Sequence, residues 1–319
     1  MKLRILYHGN CFDGVSSAAI FTKFYRAKID PDADVSYTPT MHRADNAFDR
    51  AQLDGDENAI VDFKYCADDR LTWWFDHHQS AFLSEEDEQH FLAGSRGQKF
   101  LDTKSASCAE FIARIAREKF DFEDESLAEL IKWAHIIDGA FYDSPAQCVE
   151  LRSSALKLMQ VIEGEKDPKF VERIIHWLTE KTLDQIVESE EIQERLVPIL
   201  EQHWNTVQII KERSTYERGV VFFDLTGTPI EGYNKFIPYY FHPETTYTVS
   251  LSQSSFRTKI SVGSNPWAPR PRTHNIAEIC ERYGGGGHAV VGAVSLKPEE
   301  LERGREIANV IVNELQFED

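Results

Sequence analysis

The sequence predicts an α/β protein with two domains: a larger one built on a parallel β-sheet and a smaller mixed one, joined by helices. Three observations support this. The first 110 residues or so alternate short apolar runs with a helical pattern, which is typical of a parallel sheet covered by helices. Residues from about 105 to 215 are helical in pattern, and strand-like runs return after about 215. The 319 residues are enough for two such domains.

Short apolar runs define the strands of the N-terminal part, and residues 16–27 read as the helix after the first strand. The carboxyl ends of parallel strands meet at one edge of a sheet, where α/β proteins place their sites. We therefore expect the polar residues that follow these runs to form a site. The predicted strands cover residues 3–8, 34–39, 58–63, 71–76 and 98–102.

Helical periodicity and then strand patterns define the remainder of the chain. We expect a first domain over 1–185, a helical connector over 186–215 and a second domain over 216–319. The predicted helices of the middle part cover 105–120, 126–139, 165–181 and 183–214. The predicted second-domain elements are strands at 219–226, 246–254 and 257–264, a helix at 275–283, a glycine run at 284–287, a strand-like run at 289–296 and a last helix at 298–316.

Charge and composition narrow the class of function. With 35 basic and 53 acidic residues the net charge is −18, which disfavours long nucleic acid as a partner because that usually requires a basic track. No apolar run approaches the 18 or so residues of a membrane span, so no membrane association is expected. Five scattered cysteines favour reduced thiols and a cytoplasmic location. The N-terminal MKLRILYHGN reads as a strand rather than a signal peptide.

Ionisable residues follow several of the predicted strands. Taken singly each is ordinary: Asp62 could cap a loop, His77 could be a structural histidine and Asp138 could end a helix. Together with Asp13 they supply the carboxylates and imidazole that hard divalent metals need. Two metals that share a carboxylate can hold a phosphoryl group and activate water. The pattern therefore indicates a metal site for phosphoryl chemistry.

Five motifs, in order along the chain, resemble those of the DHH phosphoesterases. The motif WWFDHHQS carries the Asp-His-His signature, and YHGNCFDGVSSAA, VDF and AHIIDGA resemble the motifs around it. The segment RYGGGGHAVVGAVSL resembles the glycine-rich motif of the DHHA1 domain that commonly follows. The resemblance covers both expected domains. It implies a parallel-sheet DHH domain, a helical connector and a smaller mixed α/β DHHA1 domain that binds substrate.

The resemblance also implies a ligand set for one or two divalent ions, manganese or alternatively magnesium. Asp62 would bridge two metal positions, with Asp13, His77 and Asp138 at one and His8 at the other. Cys11 stands where the commonest form of the first motif has an aspartate. A thiolate suits zinc or iron better than manganese, so Cys11 is either a ligand of an altered second position or a small residue packed beside it.

Substrate contacts are expected from both domains. His78 would touch substrate phosphate or help to protonate the leaving group, and Asp76 would orient His77. In the second domain the expected binding residues are Gly285, Gly286, Gly287, His288 and Arg257, the glycines through backbone N–H groups. Many DHHA1 domains have an arginine where this chain has Gly263, and Arg257, Arg270 and Arg272 are the candidates to replace it.

We therefore expect a metal-dependent phosphoesterase that hydrolyses short nucleotidic phosphoesters: oligoribonucleotides, linear dinucleotides or pAp. Its partner would be a small nucleotidic substrate, and the sequence leaves a homodimer open. Two alternatives remain at this point. One is a pyrophosphatase or polyphosphatase, which the metal motifs alone do not exclude. The other is a nucleotide-binding protein with a degenerate metal site, which Cys11 and Gly263 favour.

Overall fold

The predicted parallel sheet is present and places its strand ends side by side. The computed structural model describes residues 1–41, 49–94, 97–230 and 232–317. Within them the first sheet has five parallel strands in the order β2-β1-β3-β4-β5. These strands are β1 Lys2–His8, β2 Asp34–Thr40, β3 Glu57–Val61, β4 Leu71–Asp76 and β5 Lys99–Leu101.

Aromatic residues explain why β4 is apolar along its whole length. Trp73 and Trp74 are fully buried and, as neighbours on a strand, point to opposite faces of the sheet. Trp73 packs against Phe21 and Phe24 of the first helix, while Trp74 packs against Tyr65 on the other side. A strand covered on both faces has no solvent side, so it loses the alternation of a half-exposed strand.

Helices cover this sheet and extend beyond it. The first helix begins at Phe12, four residues earlier than expected, so that Asp13 lies in its first turn. The periodic run expected over 183–214 is two helices, because the break at 188–189 separates them. The helices of residues 1–213 are α1 Phe12–Lys28, α2 Glu85–Ala93, α3 Cys108–Phe120, α4 Ala128–Asp138, α5 Pro145–Glu150, α6 Ser154–Gly164, α7 Pro168–Glu180, α8 Leu183–Val187 and α9 Glu190–Arg213.

A second, mixed sheet forms from the strand patterns after residue 214. Its order is β10-β11-β9-β8-β7-β6, with β7 and β8 parallel and the other neighbours antiparallel. Val249, Leu251 and Ile260 are buried in its core together with residues of α11 and α12. The elements are β6 Thr215–Glu217, β7 Val220–Asp224, α10 Ile237–Phe241, β8 Tyr247–Gln253, β9 Thr258–Ser264, α11 Ile276–Glu281, β10 Gly286–His288, β11 Val291–Leu296 and α12 Leu301–Leu315.

Packing divides the chain into two compact units. The first comprises Met1–Tyr142 and Arg152–Val197, and the second comprises Asp143–Leu151 and Pro198–Asp319. The division therefore falls inside α9, while the functional boundaries expected at 185 and 215 remain predictions. None of the helices in the described residues is long and apolar enough to cross a membrane.

Candidate metal centre

The carboxyl ends of three adjacent strands bring histidines and an aspartate together. His8 ends β1, Asp62 follows β3, and His77 follows β4. His8 Nδ1 lies 3.4 Å from Asp62 Oδ2, and His77 Nε2 lies 3.4 Å from Asp62 Oδ1. Because β3 is hydrogen-bonded to both β1 and β4, Asp62 stands between the two histidines. This is the position that a bridging carboxylate requires.

Two helices add the remaining carboxylates around His77. Its Nε2 atom lies 3.4 Å from Asp138 Oδ2 at the end of α4 and 3.8 Å from Asp13 Oδ2 in the first turn of α1. Asp13 and Asp62 are fully buried, and the side chain of Asp138 is partly exposed. The structure thus brings together all five residues expected as metal ligands, namely His8, Asp13, Asp62, His77 and Asp138.

These side chains form three overlapping groups, in each of which one donor atom per residue lies within 4.8 Å of the others. The groups are His8-Cys11-Asp62, Asp62-His77-His78 and Asp13-His77-Asp138. In the described residues, the buried atoms Asp62 Oδ1 and His77 Nε2 make no hydrogen bond. A buried acceptor without a donor is costly, and a cation would satisfy both atoms. The donor set therefore fits one or two divalent ions, with Cys11 at the second position.

The backbone at Asp62 is held in an unusual conformation. Its φ is +57°, in the left-handed region that few residues other than glycine adopt. Its N–H donates to the Phe75 carbonyl of β4 at 2.9 Å, which fixes the turn. Such a conformation costs about 1–3 kcal/mol and persists only where the surroundings enforce it. Here it directs the Asp62 carboxylate back toward the ends of β1 and β4.

Asp13 is fixed by the amino end of α3. Its two carboxylate oxygens accept hydrogen bonds from the backbone N–H groups of Cys108 at 2.6 Å and Ala109 at 3.0 Å. The positive end of the α3 dipole favours the charged form of this carboxylate. Gly14 lets α1 pack close to the end of β1, because a Cβ atom at residue 14 would lie 2.2 Å from the His8 carbonyl oxygen. The helix end thereby holds Asp13 beside the strand ends.

His77 is oriented by a carbonyl group rather than by Asp76. Its Nδ1 lies 3.0 Å from the Ser105 carbonyl oxygen, which can only accept, so Nδ1 carries the proton and Nε2 faces the carboxylates. The expectation that Asp76 orients this ring is wrong. Asp76 Oδ1 instead accepts from Nδ1 of His78 at 2.7 Å and from the backbone N–H of His77 at 2.8 Å. Asp76 therefore orients His78.

A second set of polar contacts holds the Ser105 carbonyl in place. Arg114 of α3 donates to Asp102 Oδ2 at 2.5 Å and to Ser105 Oγ at 2.9 Å. Ser105 Oγ also donates to Asp102 Oδ2 at 3.1 Å. The sequence does not indicate this role for Arg114, Asp102 or Ser105. The cap of α3 is Ser107, whose Oγ accepts from Glu110 N.

The acidic surroundings alter the proton affinities of these groups in the ion-free protein. Burial opposes a charged imidazole, but the neighbouring carboxylates of Asp62 and Asp13 raise the pKa of His77 to about 10. Burial, Asp62 and Asp138 hold the pKa of Asp13 well above its usual range. Burial and the charges of Asp62 and Asp13 do the same to the pKa of the Cys11 thiol. A metal ion bound here would compete with these protons.

In the second unit, the glycine run lies at the edge of the second sheet. Gly286 and His288 pair with Ala293 and Val291 of β11, and His288 is exposed. The Gly285 N–H donates to the Cys280 carbonyl at 2.9 Å. The expectation that this N–H is available to a phosphate is therefore wrong. The binding roles of Gly286, Gly287 and His288 remain predictions.

Arg257 does not lie with the glycine run. Val291, the partner of His288, pairs with Gly263 at one end of β9, whereas Arg257 precedes Thr258 at the other end. Gly263 lies five residue steps along the strand from Thr258, roughly 17 Å at the usual rise of an antiparallel strand. Arg257 and His288 therefore lie at opposite ends of this strand register, and the binding role of Arg257 remains a prediction.

The absence of a side chain at Gly263 has a steric reason. A Cβ atom there would lie 2.9 Å from the Tyr239 hydroxyl and 3.1 Å from Thr248 Oγ1. Tyr239 is buried, and its hydroxyl is hydrogen-bonded to Thr248 at 3.2 Å. The space that a side chain at this position would need is thus occupied by a tyrosine hydroxyl from α10.

No family model and no curated protein sequence matches the chain. Solved structures do match. A pGpG-specific phosphodiesterase, PggH from Vibrio cholerae, matches with a TM-score of 0.74 and 16% identity over 99% of this chain and 100% of that one. The DHH domain of a member of the s1p family of ribosomal proteins matches with a TM-score of 0.58 and 13% identity, over 99% of this chain and 87% of that one.

RecJ from Thermus thermophilus in complex with Mn²⁺ matches with a TM-score of 0.53 and 13% identity. All of this chain is covered, but only 52% of RecJ, so the chain spans about half the length of that protein. At such identities the likeness concerns the fold. The parallel five-stranded sheet, the second mixed sheet and these matches confirm the resemblance at that level: the chain has the fold of the DHH phosphoesterases, a DHH domain followed by a DHHA1 domain.

Proposed function

We propose that the chain is a metal-dependent phosphoesterase that hydrolyses short nucleotidic phosphoesters. The observation that carries the proposal is the position of His77 Nε2. It faces Asp62, Asp138 and Asp13 at 3.4–3.8 Å while its other ring nitrogen is fixed by the Ser105 carbonyl. Carboxylates gathered around one imidazole nitrogen repel one another unless a proton or a metal ion neutralises them. A degenerate, metal-free binding protein would have no use for that arrangement.

The residues have separate tasks in this proposal. One divalent ion would be held by His77, Asp13, Asp62 and Asp138. A second would be held by Asp62, His8 and Cys11. Manganese is the proposed ion and magnesium the alternative, since carboxylate oxygens suit both. When bound, such an ion supplies charge to polarise a phosphoryl oxygen and lowers the pKa of water.

His78 is the proposed acid for the leaving group. Its side chain is more exposed than that of His77, 36% against 9%, so it can reach a substrate. The hydrogen bond to Asp76 raises the pKa of His78 above its ordinary value, although burial opposes this. A raised pKa increases the protonated fraction of the imidazole near neutral pH, and the protonated form is the one that donates to a leaving oxygen.

We propose short substrates because of the net charge of the chain and because of its structural similarity to a phosphodiesterase that is specific for pGpG. The net charge of −18 repels long polyanions, whereas bound cations can reverse the field locally for a small anion. The structurally similar pGpG-specific phosphodiesterase makes a 5′-phosphorylated diribonucleotide the first substrate to test. Oligoribonucleotides and pAp are the next, and we propose a small nucleotide rather than long nucleic acid as the physiological partner.

Product analysis tests the proposal directly. Metal-stripped protein would be incubated with Mn²⁺, Mg²⁺ or Zn²⁺ and with pGpG, a pentaribonucleotide, pAp, a cyclic dinucleotide or pyrophosphate, and the products separated by chromatography. Metal-dependent release of mononucleotides is expected. Release of phosphate from pyrophosphate alone would favour the pyrophosphatase alternative. Nucleotide binding without turnover under every metal would contradict the enzymatic proposal.

A further inference from the structure

Two cations lie next to each other on the face of the second sheet that does not carry its core. Along β9, Thr258, Ile260 and Val262 are buried in the core, so Lys259 projects from the opposite face. Arg257 immediately precedes the strand. This pair, Arg257 and Lys259, is called the basic pair below.

Hydroxyl groups flank Lys259 on both neighbouring strands. Ser252 of β8 and Ser295 of β11 are its direct antiparallel partners, and such partners project from the same face of a sheet. In the described residues neither serine side chain makes a hydrogen bond, so both hydroxyls can donate to a ligand. The row Ser252-Lys259-Ser295 therefore offers an ammonium group between two hydroxyl donors.

The basic pair has no carboxylate partner in the part of the chain that the structure describes. Several arginines of this unit do have carboxylate partners: Arg282 pairs with Glu314, Arg303 with Glu300, and Arg305 with Glu302. In a chain with 53 acidic residues, Arg257 and Lys259 thus remain as two nearby cations that form no ion pair within the described residues. Burial, followed by the charge of Arg257, lowers the pKa of Lys259 below its ordinary value. An anion placed between the two cations would relieve this repulsion.

We propose that the basic pair, with the hydroxyls of Ser252 and Ser295, binds a terminal phosphate group of a short nucleotide. A terminal phosphate carries nearly two negative charges at neutral pH, which two cations match, whereas an internal phosphodiester carries one. The inference rests on the proposed function, because it takes the ligand to be a short nucleotide. It assigns the discrimination between phosphorylated and dephosphorylated ends to Arg257 and Lys259.

Calorimetric binding of pGpG and of GpG to the metal-stripped full-length protein tests the proposal. Wild type should bind pGpG more tightly than GpG. Lys259→Met and Arg257→Met should each reduce that preference about tenfold or more, because a hydrogen bond between charged groups is lost. Arg303→Met is the matched control: it removes one positive charge from α12, which packs on the core face of the same sheet. The control should keep the preference.

Three results would overturn the proposal: equal binding of pGpG and GpG by wild type, an unchanged preference in both basic-pair variants, or an equal loss in Arg303→Met. Thermal unfolding of each variant checks folding, and Lys259→Gln replaces Lys259→Met if the latter is destabilised. Mn²⁺-dependent hydrolysis of GpG, which lacks the terminal phosphate, is measured separately. A further outcome is that wild type hydrolyses neither pGpG nor GpG and yet binds pGpG more tightly in a way that depends on Lys259. In that case the proposed activity fails and the phosphate site stands.

Discussion

Asp62 combines three properties that point to a functional rather than a structural role. It is fully buried, its backbone adopts φ of +57°, and Oδ1 makes no hydrogen bond within the described residues. A purely structural aspartate would have its oxygens satisfied, as Asp87 does by accepting from Ala67 N and Ser84 Oγ. The strain and the unsatisfied oxygen are both explained if Asp62 holds a metal on each side.

Asp62→Asn should reduce turnover at least about a hundredfold, because the charge stabilisation that a metal gives the transition state is worth several kcal/mol. The amide is nearly isosteric, so the melting temperature of the metal-stripped variant should not fall below that of wild type. Steady-state hydrolysis of pGpG and thermal unfolding in EDTA measure the two effects. Full activity in Asp62→Asn would show that the bridging ligand is wrongly assigned.

The pKa shifts predict how stability depends on pH once metal is removed. The raised pKa of His77, about 10, gives stability that is complete below the ordinary value of 6.5 and lost as the pH rises toward 10. The raised pKa values of Asp13 and Asp138 act in the same direction, since both carboxylates resist ionisation. The lowered pKa of Asp62 acts only in acid, below 3.8.

In EDTA the melting temperature should therefore fall between pH 6 and pH 9, and the increase given by saturating Mn²⁺ should grow over the same interval because the ion displaces protons. Differential scanning calorimetry at pH 6, 7.5 and 9, with and without Mn²⁺, measures both trends. An Mn²⁺ effect that does not change with pH would mean that the ion binds away from these groups.

At the scale of elements, parallel pairing does most of the positioning. Alternating apolar runs predicted the parallel sheet, and from it followed that His8, Asp62 and His77 would meet, since they end or follow adjacent strands. The backbone contacts were beyond the sequence. Neither the Ser105 carbonyl on His77 nor the α3 amino end at Asp13 depends on a recognisable side chain. The hydrogen bond that Asp76 accepts from the ring of His78, and not from that of His77, likewise depends on a local turn that sequence periodicity does not reveal.

The β5–α3 loop should control the orientation of His77. Arg114→Met removes the donor that joins Asp102 to Ser105, and we expect Mn²⁺ affinity to fall about 10–100-fold, as is usual when a group that orients a ligand is lost. Arg114→Lys should recover part of the loss. Calorimetry measures the affinity, and ¹⁵N NMR of the imidazole in the Mg²⁺-bound protein reports whether His77 still carries its proton on Nδ1. A variant with normal affinity and an unchanged tautomer would show that the loop needs no such support.

At the scale of the whole molecule, charge is the property that the sequence defines most completely. The net charge of −18 was readable without any structure, and it disfavours long nucleic acid. The likeness to RecJ concerns the fold and does not outweigh that charge. What composition could not reveal is the location of the few cations without acidic partners, because ion pairing depends on which surfaces the fold brings together.

Hydrolysis should therefore favour short chains. With Mn²⁺ present, kcat/KM should fall at least about tenfold from a di- or triribonucleotide to a 20-residue oligonucleotide, since each added phosphate meets an acidic surface. The same labelled 5′ end and constant ionic strength keep the series comparable. Equal or rising kcat/KM with length would contradict the proposal of a short substrate.

The central claim is that the ends of β1, β3 and β4 hold a divalent ion. Anomalous scattering at the manganese edge from a crystal grown with Mn²⁺ tests it most directly. The account predicts a peak bounded by Asp13, Asp62, His77 and Asp138, and none at that place in an Asp62→Asn crystal. Manganese bound elsewhere in the wild-type protein, with nothing between these four side chains, would contradict it.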